Sequence, residues 1–286
     1  MSTSMATTVY RDRALRGLDR LPPFSPVLSR LLTAVASNDA SFAELAKLIE
    51  SDAVLTGNVL RAVNSTFRAA AGGVSSVRHA VAILGVGRLR NLALSLSVAR
   101  MCSQVRTPEG WSNARFSAHS LATGILADLV AEGSAVPYPE GAFVAGLMHD
   151  IGKLLIATAL PAEFGCIQGM LKRGHWTELE CELQAIGTSH AELSGLALQR
   201  WNLPLPIQQA ATFHHAPNGA DEGRLHLSHA VCAADRLAND CGHSNGRYLE
   251  PSGPVAPVWE ALHLADRTAG IIEEFEDEFE TMKAFL

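Results

Sequence analysis

The chain has 286 residues, 48% hydrophobic and 18% charged, a globular composition that excludes disordered and fibrous classes and suits one large domain or two fused lobes. Its 23 basic and 29 acidic residues give a formal charge of -6. With six acids gathered between Glu273 and Glu280 and no broad basic stripe, binding to DNA or RNA through counterion release is not expected.

Residues 1–18 lack the apolar core of a signal peptide and are expected to form a flexible tail. No stretch approaches the ~18 apolar residues that span a bilayer, so no membrane partner is expected and the cytoplasm is the expected compartment. Cys102, Cys166, Cys181, Cys232 and Cys241 form no CxxC pair and read as reduced thiols.

Apolar residues recur at helical spacing and strand-like alternation is missing, so the expected fold is all-α, a multi-helix bundle of two fused lobes. Ser41 and Glu44 form a capping box before Leu45, Leu48 and Ile49. Asp52 can cap the next helix, which turns Val54, Leu55, Val59, Leu60 and Val63 inward and runs to Asn64, Ser65 and a Gly72-Gly73 turn. Ser76 restarts the chain ahead of Val77, Ala80, Val81 and Leu84. The stretch from Gly85 to Gly87 interrupts that stripe before Leu89, Leu92, Ala93, Leu96 and Val98.

Pro108 and Gly110 break the pattern and divide an N-terminal lobe, 19–106, from a second lobe, 107–240. Helices are expected near 113–131, 139–159, 161–173, 177–186, 190–201, 206–214 and 224–240. In 241–286, a loop from Gly242 to Pro257 precedes an acidic helix whose Ile271, Ile272, Phe275 and Phe279 can pack on the body.

His119, His149, Asp150, His190, His214, His215 and Asp235 stand out for chemistry. His149-Asp150 ends the apolar run Phe143–Met148, where an uncompensated carboxylate would be costly. A divalent cation held by neutral imidazoles would compensate it, and adjacent positions on a helix can both reach one ion near a bundle axis. His190 lies inside a box made by Ser189 and Glu192, and Asp235 sits on an apolar face beside Val231, Ala234 and Leu237. Histidine and carboxylate without thiolate suit Fe, Mn, Zn or Ni. A bridging carboxylate such as Asp150 would allow two ions, which together bind a phosphate ester and activate water.

Blander readings stand beside these. The macrodipole alone attracts histidine to a helix C-terminus, which would account for His214-His215. Lys153, one turn beyond His149, is either a phosphate contact or a surface lysine. His79, His226, His229, His243 and His263 read as satisfied core histidines outside the site. Gly146 to Gly152-Lys153 fails as a P-loop, because five residues separate the glycines and Leu154 stands where Ser or Thr must hold magnesium. No G-x-S-x-G, H-E-x-x-H or G-x-G-x-x-G motif is present.

Leu21-Pro22-Pro23, Ser51-Asp52, Leu60-Arg61-Ala62-Val63-Asn64-Ser65 and Val81-Ala82-Ile83-Leu84-Gly85 resemble the HDOD family. The resemblance continues through His149-Asp150-Ile151-Gly152-Lys153, His190-Ala191-Glu192-Leu193-Ser194-Gly195, Trp201-Asn202-Leu203-Pro204 and His214-His215 to Asp235. It implies a bacterial signalling or regulatory protein related to HD phosphohydrolases, among them the HD-GYP enzymes that hydrolyse cyclic di-GMP. It further implies that His119, His149, Asp150 and Asp235 hold one divalent ion and that Asp150 bridges to a second held by His190 and His214. His215 is then a spare ligand or substrate contact, and Asp150 and Lys153 are the catalytic candidates.

Two departures matter. Ala216-Pro217-Asn218-Gly219 follows the histidine pair where a GYP segment would stand, and Arg115 precedes His119 where trinuclear members place an acid, so two ions at most are expected. One reading is a metal-dependent phosphohydrolase or phosphodiesterase acting on a nucleotide or another phosphate-containing small molecule. The second is a non-catalytic scaffold that binds metal or nucleotide and acts through signalling protein partners. A third, a purely structural helical adaptor, predicts no metal at all.

Overall fold

A computed structural model describes residues 2–21, 25–37, 42–66, 73–246 and 256–283, and among them the chain is helical with no strand. The first helices are α1 (Ser2–Arg16), α2 (Pro26–Ser37), α3 (Phe42–Glu50), α4 (Ala53–Thr66), α5 (Val77–Leu84) and α6 (Val86–Ser103). Local chemistry sets their ends. Asp52 Oδ1 accepts from the backbone N–H groups of Val54 and Leu55 at 2.9 and 3.0 Å, and Ser76 Oγ accepts from His79 N at 3.1 Å. Gly85, at φ 81°, turns the chain through 119° between α5 and α6, a conformation that costs glycine little. Ser41, Pro22, Pro23 and Gly72, on which part of the sequence reading rests, lie outside the described residues.

The expected flexible tail is instead α1. Ala14 is fully buried, Arg13 pairs with Glu163 at 3.2 Å, and Arg11 pairs with Glu192 at 3.1 Å. Periodicity gave no sign of this, because among its described side chains the helix docks through few apolar groups and is held at its rim by charge.

The chain continues through α7 (Asn113–Gly133), α8 (Ala142–Met148), α9 (Ile151–Ala159), α10 (Pro161–Leu171), α11 (Glu178–Ile186) and α12 (His190–Arg200). It ends with α13 (Leu205–Phe213), α14 (Leu227–Asp240), α15 (Ala256–Leu262) and α16 (Thr268–Lys283). At the centre α7 packs against both α8 and α14. One apolar core runs from Leu31 and Val59 through Leu94, Leu121 and Phe143 to Phe275, and a smaller one gathers Ala14, Ile156, Phe164, Ile167, Cys181 and Leu193. On α16, Ile271, Phe275, Phe279 and Met282 are buried, while Ile272 is half-buried.

Three expectations need correction. The single helix expected over 139–159 is broken at His149-Asp150, with Asp150 at φ -101° and ψ 10°. Pro139–Ala159 is also long and apolar enough by composition to cross a membrane, but 89% of that window is buried inside the protein, as suits a core segment. Finally, α14 begins at Leu227 and not at 224, because His226 Nδ1 accepts from Ser228 N at 3.1 Å and caps it there.

Candidate metal centre

Five elements converge on one buried point. α7 carries His119, the α8–α9 break carries His149 and Asp150, α12 opens with His190, the end of α13 carries His214 and His215, and α14 carries Asp235. Two glycines allow the approach. A Cβ on Gly146 would stand 2.5 Å from the Thr123 carbonyl oxygen, so α8 can press on α7; one on Gly152 would stand 2.0 Å from the His190 carbonyl oxygen, so α9 can press on α12. Gly152 N also donates to Ser194 Oγ at 2.9 Å.

Four imidazoles are pinned by their outer nitrogens. His119 Nδ1 donates to the His243 carbonyl at 2.8 Å, His149 Nδ1 to the Gly146 carbonyl at 2.7 Å, and His214 Nδ1 to the Ala211 carbonyl at 2.7 Å. His190 Nδ1 donates to Glu182 at 2.8 and 2.9 Å, and its backbone N donates to the same carboxylate at 2.7 Å. A carbonyl can only accept, so the proton sits on Nδ1 and each Nε2 turns inward, the arrangement that orients metal-binding histidines.

The two oxygens of Asp150 face different partners. Oδ2 lies 3.4 Å from His119 Nε2 and 3.5 Å from His149 Nε2, whereas Oδ1 lies 3.3 Å from His190 Nε2 and 3.7 Å from His214 Nε2. Asp235 Oδ1 closes the first group, 3.2 Å from His119 and 3.7 Å from His149. His215 Nε2, 2.9 Å from His190 Nε2, closes the second. The donor atoms of His119, His149 and Asp150 lie within 4.8 Å of one another, as do those of His190, His214 and His215 and those of His149, His214 and Asp235.

This donor set fits a divalent cation. Asp150 Oδ1 and His214 Nε2 are buried with no hydrogen-bond partner among the described residues, a cost that a shared cation would remove. Burial would lower His119, but Asp150 and Asp235 beside it raise it to about 9, so these carboxylates draw positive charge to the point where they meet. Burial, then His215 and His149, hold His214 well below the usual imidazole range; burial and His190 lower His215 to about 3. Both are therefore neutral, the form that binds a metal.

Lys153 is not a surface lysine. Its amine lies 3.0 Å from Asp150 Oδ2, 2.8 Å from Glu178 and 3.3 Å from Asn245 Oδ1. Burial would lower its pKa, but Asp150 and Glu178 raise it well above the usual range, so it stays charged.

Sequence reasoning missed four contributors: Glu182, Glu178, Asn245 and the carbonyl of His243. Glu182 shares a helix face with Ile186, a signal that could have marked it as a buried acid, whereas the other three carry no local signature. Of the histidines read as core, His226 and His229 are buried and cap α14, while His79 and His263 are exposed, since a lone histidine is also at home on a solvated face. His243 is half-buried against Phe279, with ring centroids 4.1 Å apart. Ser189 caps α12 through Glu192 N at 3.1 Å, but the Glu192 carboxylate accepts from Thr188 Oγ1 and pairs with Arg11 instead of closing the box.

The HDOD domain family matches residues 21–217. An uncharacterized protein of Treponema pallidum strain Nichols is 25% identical over 222 residues, which are 72% of this chain; the chain spans 40% of that relative's length. Among solved structures, an HDOD domain protein of unknown function from Geobacter sulfurreducens superposes with a TM-score of 0.79 at 24% identity, covering 98% of this chain and 97% of that one. A candidate phosphohydrolase from Shewanella amazonensis SB2B gives a TM-score of 0.72 at 23% identity, covering 96% and 98%. A candidate signal transduction protein from Marinobacter aquaeolei VT8 gives 0.72 at 23%, covering 98% of this chain and 66% of that one. At these identities the likeness carries the fold alone.

Proposed function

Because the chain belongs to the HDOD family, we propose that it is a regulatory protein with a dinuclear metal centre that hydrolyses a phosphoester, a nucleotide being the substrate class that the sequence resemblance to HD phosphohydrolases implies. His119, His149, Asp150 and Asp235 would hold one divalent ion, and Asp150, His190, His214 and His215 the other. The observation that carries this reading is the division of Asp150, with one oxygen turned to each imidazole group and Oδ1 left without a hydrogen bond. Divalent ions in this place would neutralise phosphate charge and activate water. Lys153, charged and within reach of Asp150, would steady a phosphate oxygen, and His215, the most exposed of the seven, would face the substrate side.

The scaffold reading draws on a different observation. The Lys153 amine already has three acceptors around it, so a phosphate would have to displace one of them. A protein that binds metal without turnover and reports through partners would have that restraint.

Elemental analysis of the purified protein tests the centre, comparing wild type with His149→Ala/Asp150→Ala at matched circular dichroism. Near two equivalents of Fe, Mn, Zn or Ni, lost in the variant, are expected. No metal in wild type, even after reconstitution, would overturn the hydrolase reading and leave a regulatory scaffold that works without metal. Metal without turnover of any nucleotide or aryl phosphodiester would leave the scaffold.

A further inference from the structure

The segment 241–246 follows α14, lies beyond the family-matched residues, and reaches the metal centre twice. The His243 carbonyl accepts the proton of His119 Nδ1 at 2.8 Å. Two residues on, Asn245 Nδ2 donates to Asp150 Oδ2 at 2.5 Å, and Asn245 Oδ1 accepts from Lys153 Nζ at 3.3 Å. The network fixes this orientation: a reversed amide would set oxygen against carboxylate and NH2 against ammonium. The segment is anchored from behind, since the His243 ring lies 4.1 Å from Phe279 and 5.7 Å from Phe275, between centroids, on α16.

The contacts are unevenly shared between the two Asp150 oxygens. Oδ2 accepts from Asn245 and pairs with the Lys153 ammonium at 3.0 Å, while Oδ1 accepts no hydrogen bond among the described residues. A cation between His190, His214 and His215 finds a free oxygen. A cation between His119, His149 and Asp235 finds an occupied one. Of the two occupants, Asn245 is the neutral group on a loop, and Lys153 is a buried charge held also by Glu178.

We propose that Asn245 is a built-in competitor of the centre: its amide holds Asp150 Oδ2 and Lys153 where a divalent cation and a phosphate anion would bind, and both bind at the expense of its contacts. This inference rests on the metal-centre reading. It makes the two positions unequal, the one at Oδ1 binding more tightly and the one at Oδ2 more weakly until Asn245 gives way. Because the segment is pinned to α16, whatever moves that helix changes occupancy of the weaker position.

The experiment is a calorimetric titration of the chelator-stripped full chain with Mn2+, for wild type and Asn245→Ala at matched thermal unfolding. Two unequal steps are expected in wild type, with the weaker strengthened by about tenfold in the variant, roughly what one charge-assisted hydrogen bond is worth, and the tighter unchanged. A second equivalent bound only by the variant would support the same conclusion. Inorganic phosphate, titrated into the Mn2+-loaded proteins, should bind more tightly to Asn245→Ala; a residue that merely positions Lys153 would give weaker binding. Unchanged or weakened Mn2+ and phosphate binding in the variant, with wild type taking up two equivalents, would overturn this inference and leave the metal centre standing. No uptake by either protein would overturn both.

Discussion

A Cβ on Gly152 would stand 2.0 Å from the carbonyl oxygen of His190, so the backbones of α9 and α12 touch at the point where Asp150 meets His190. Gly152→Ala must therefore push the helices apart, and backbone cannot give way as a flexible side chain can. The expected result is a loss of about 1–3 kcal/mol in denaturant unfolding together with loss of metal from the position formed by His190, His214 and His215. Normal stability and metal content in this variant would show that the helices can separate at no cost to the site.

Glu182 is the next test, because its carboxylate accepts from the outer nitrogen of His190. Glu182→Ala leaves His190 Nδ1 without its acceptor, and a drop in metal affinity of about 10–100-fold is expected from a chelator competition. Glu182→Gln, whose amide oxygen can still accept from Nδ1, should recover part of it.

Lys153 compensates two acids at once, the buried Asp150 and the half-buried Glu178. Lys153→Met removes the ammonium that faces Asp150 and Glu178 at 3.0 and 2.8 Å, so the metal-free variant should lose about 3–5 kcal/mol, read from urea midpoints. Added Mn2+ should restore much of that by neutralising Asp150, and phosphate binding should not return. Equal destabilisation with and without metal would mean that the ion does not reach Asp150.

A pH effect is expected away from the centre. Burial raises Glu278 on α16 to about 7; Arg88 of α6, 3.7 Å away, opposes the shift, while Asp128 and Glu132 of α7 and Glu274 of α16 add to it. Burial likewise raises Asp128 to about 6, against a hydrogen bond from Asn91 at 2.8 Å. A group raised in the folded state binds more protons there than in the unfolded chain, so its contribution is full below the ordinary 4.5 of glutamate and is lost as pH rises through about 7. Between pH 5 and 8, wild type should lose roughly 2 kcal/mol from Glu278, and Glu278→Gln should flatten that slope. A slope unchanged in the variant would place the titration elsewhere.

The sequence alone determined what is encoded within a few residues. Helical periodicity fixed the all-α fold, and short polar side chains at Asp52, Ser76 and Ser189 fixed helix starts, because a cap needs only the next three N–H groups. Seven residues picked out before any packing was known do meet at one point. Their division was not legible. That Asp150 turns one oxygen to each imidazole group depends on the break between α8 and α9 and on the close packing allowed by Gly146 and Gly152. Asn245 was invisible for the same reason, meeting Asp150 across 95 residues of chain. A carboxylate's partners are set by which helices pack beside it, so only the tertiary structure could decide them.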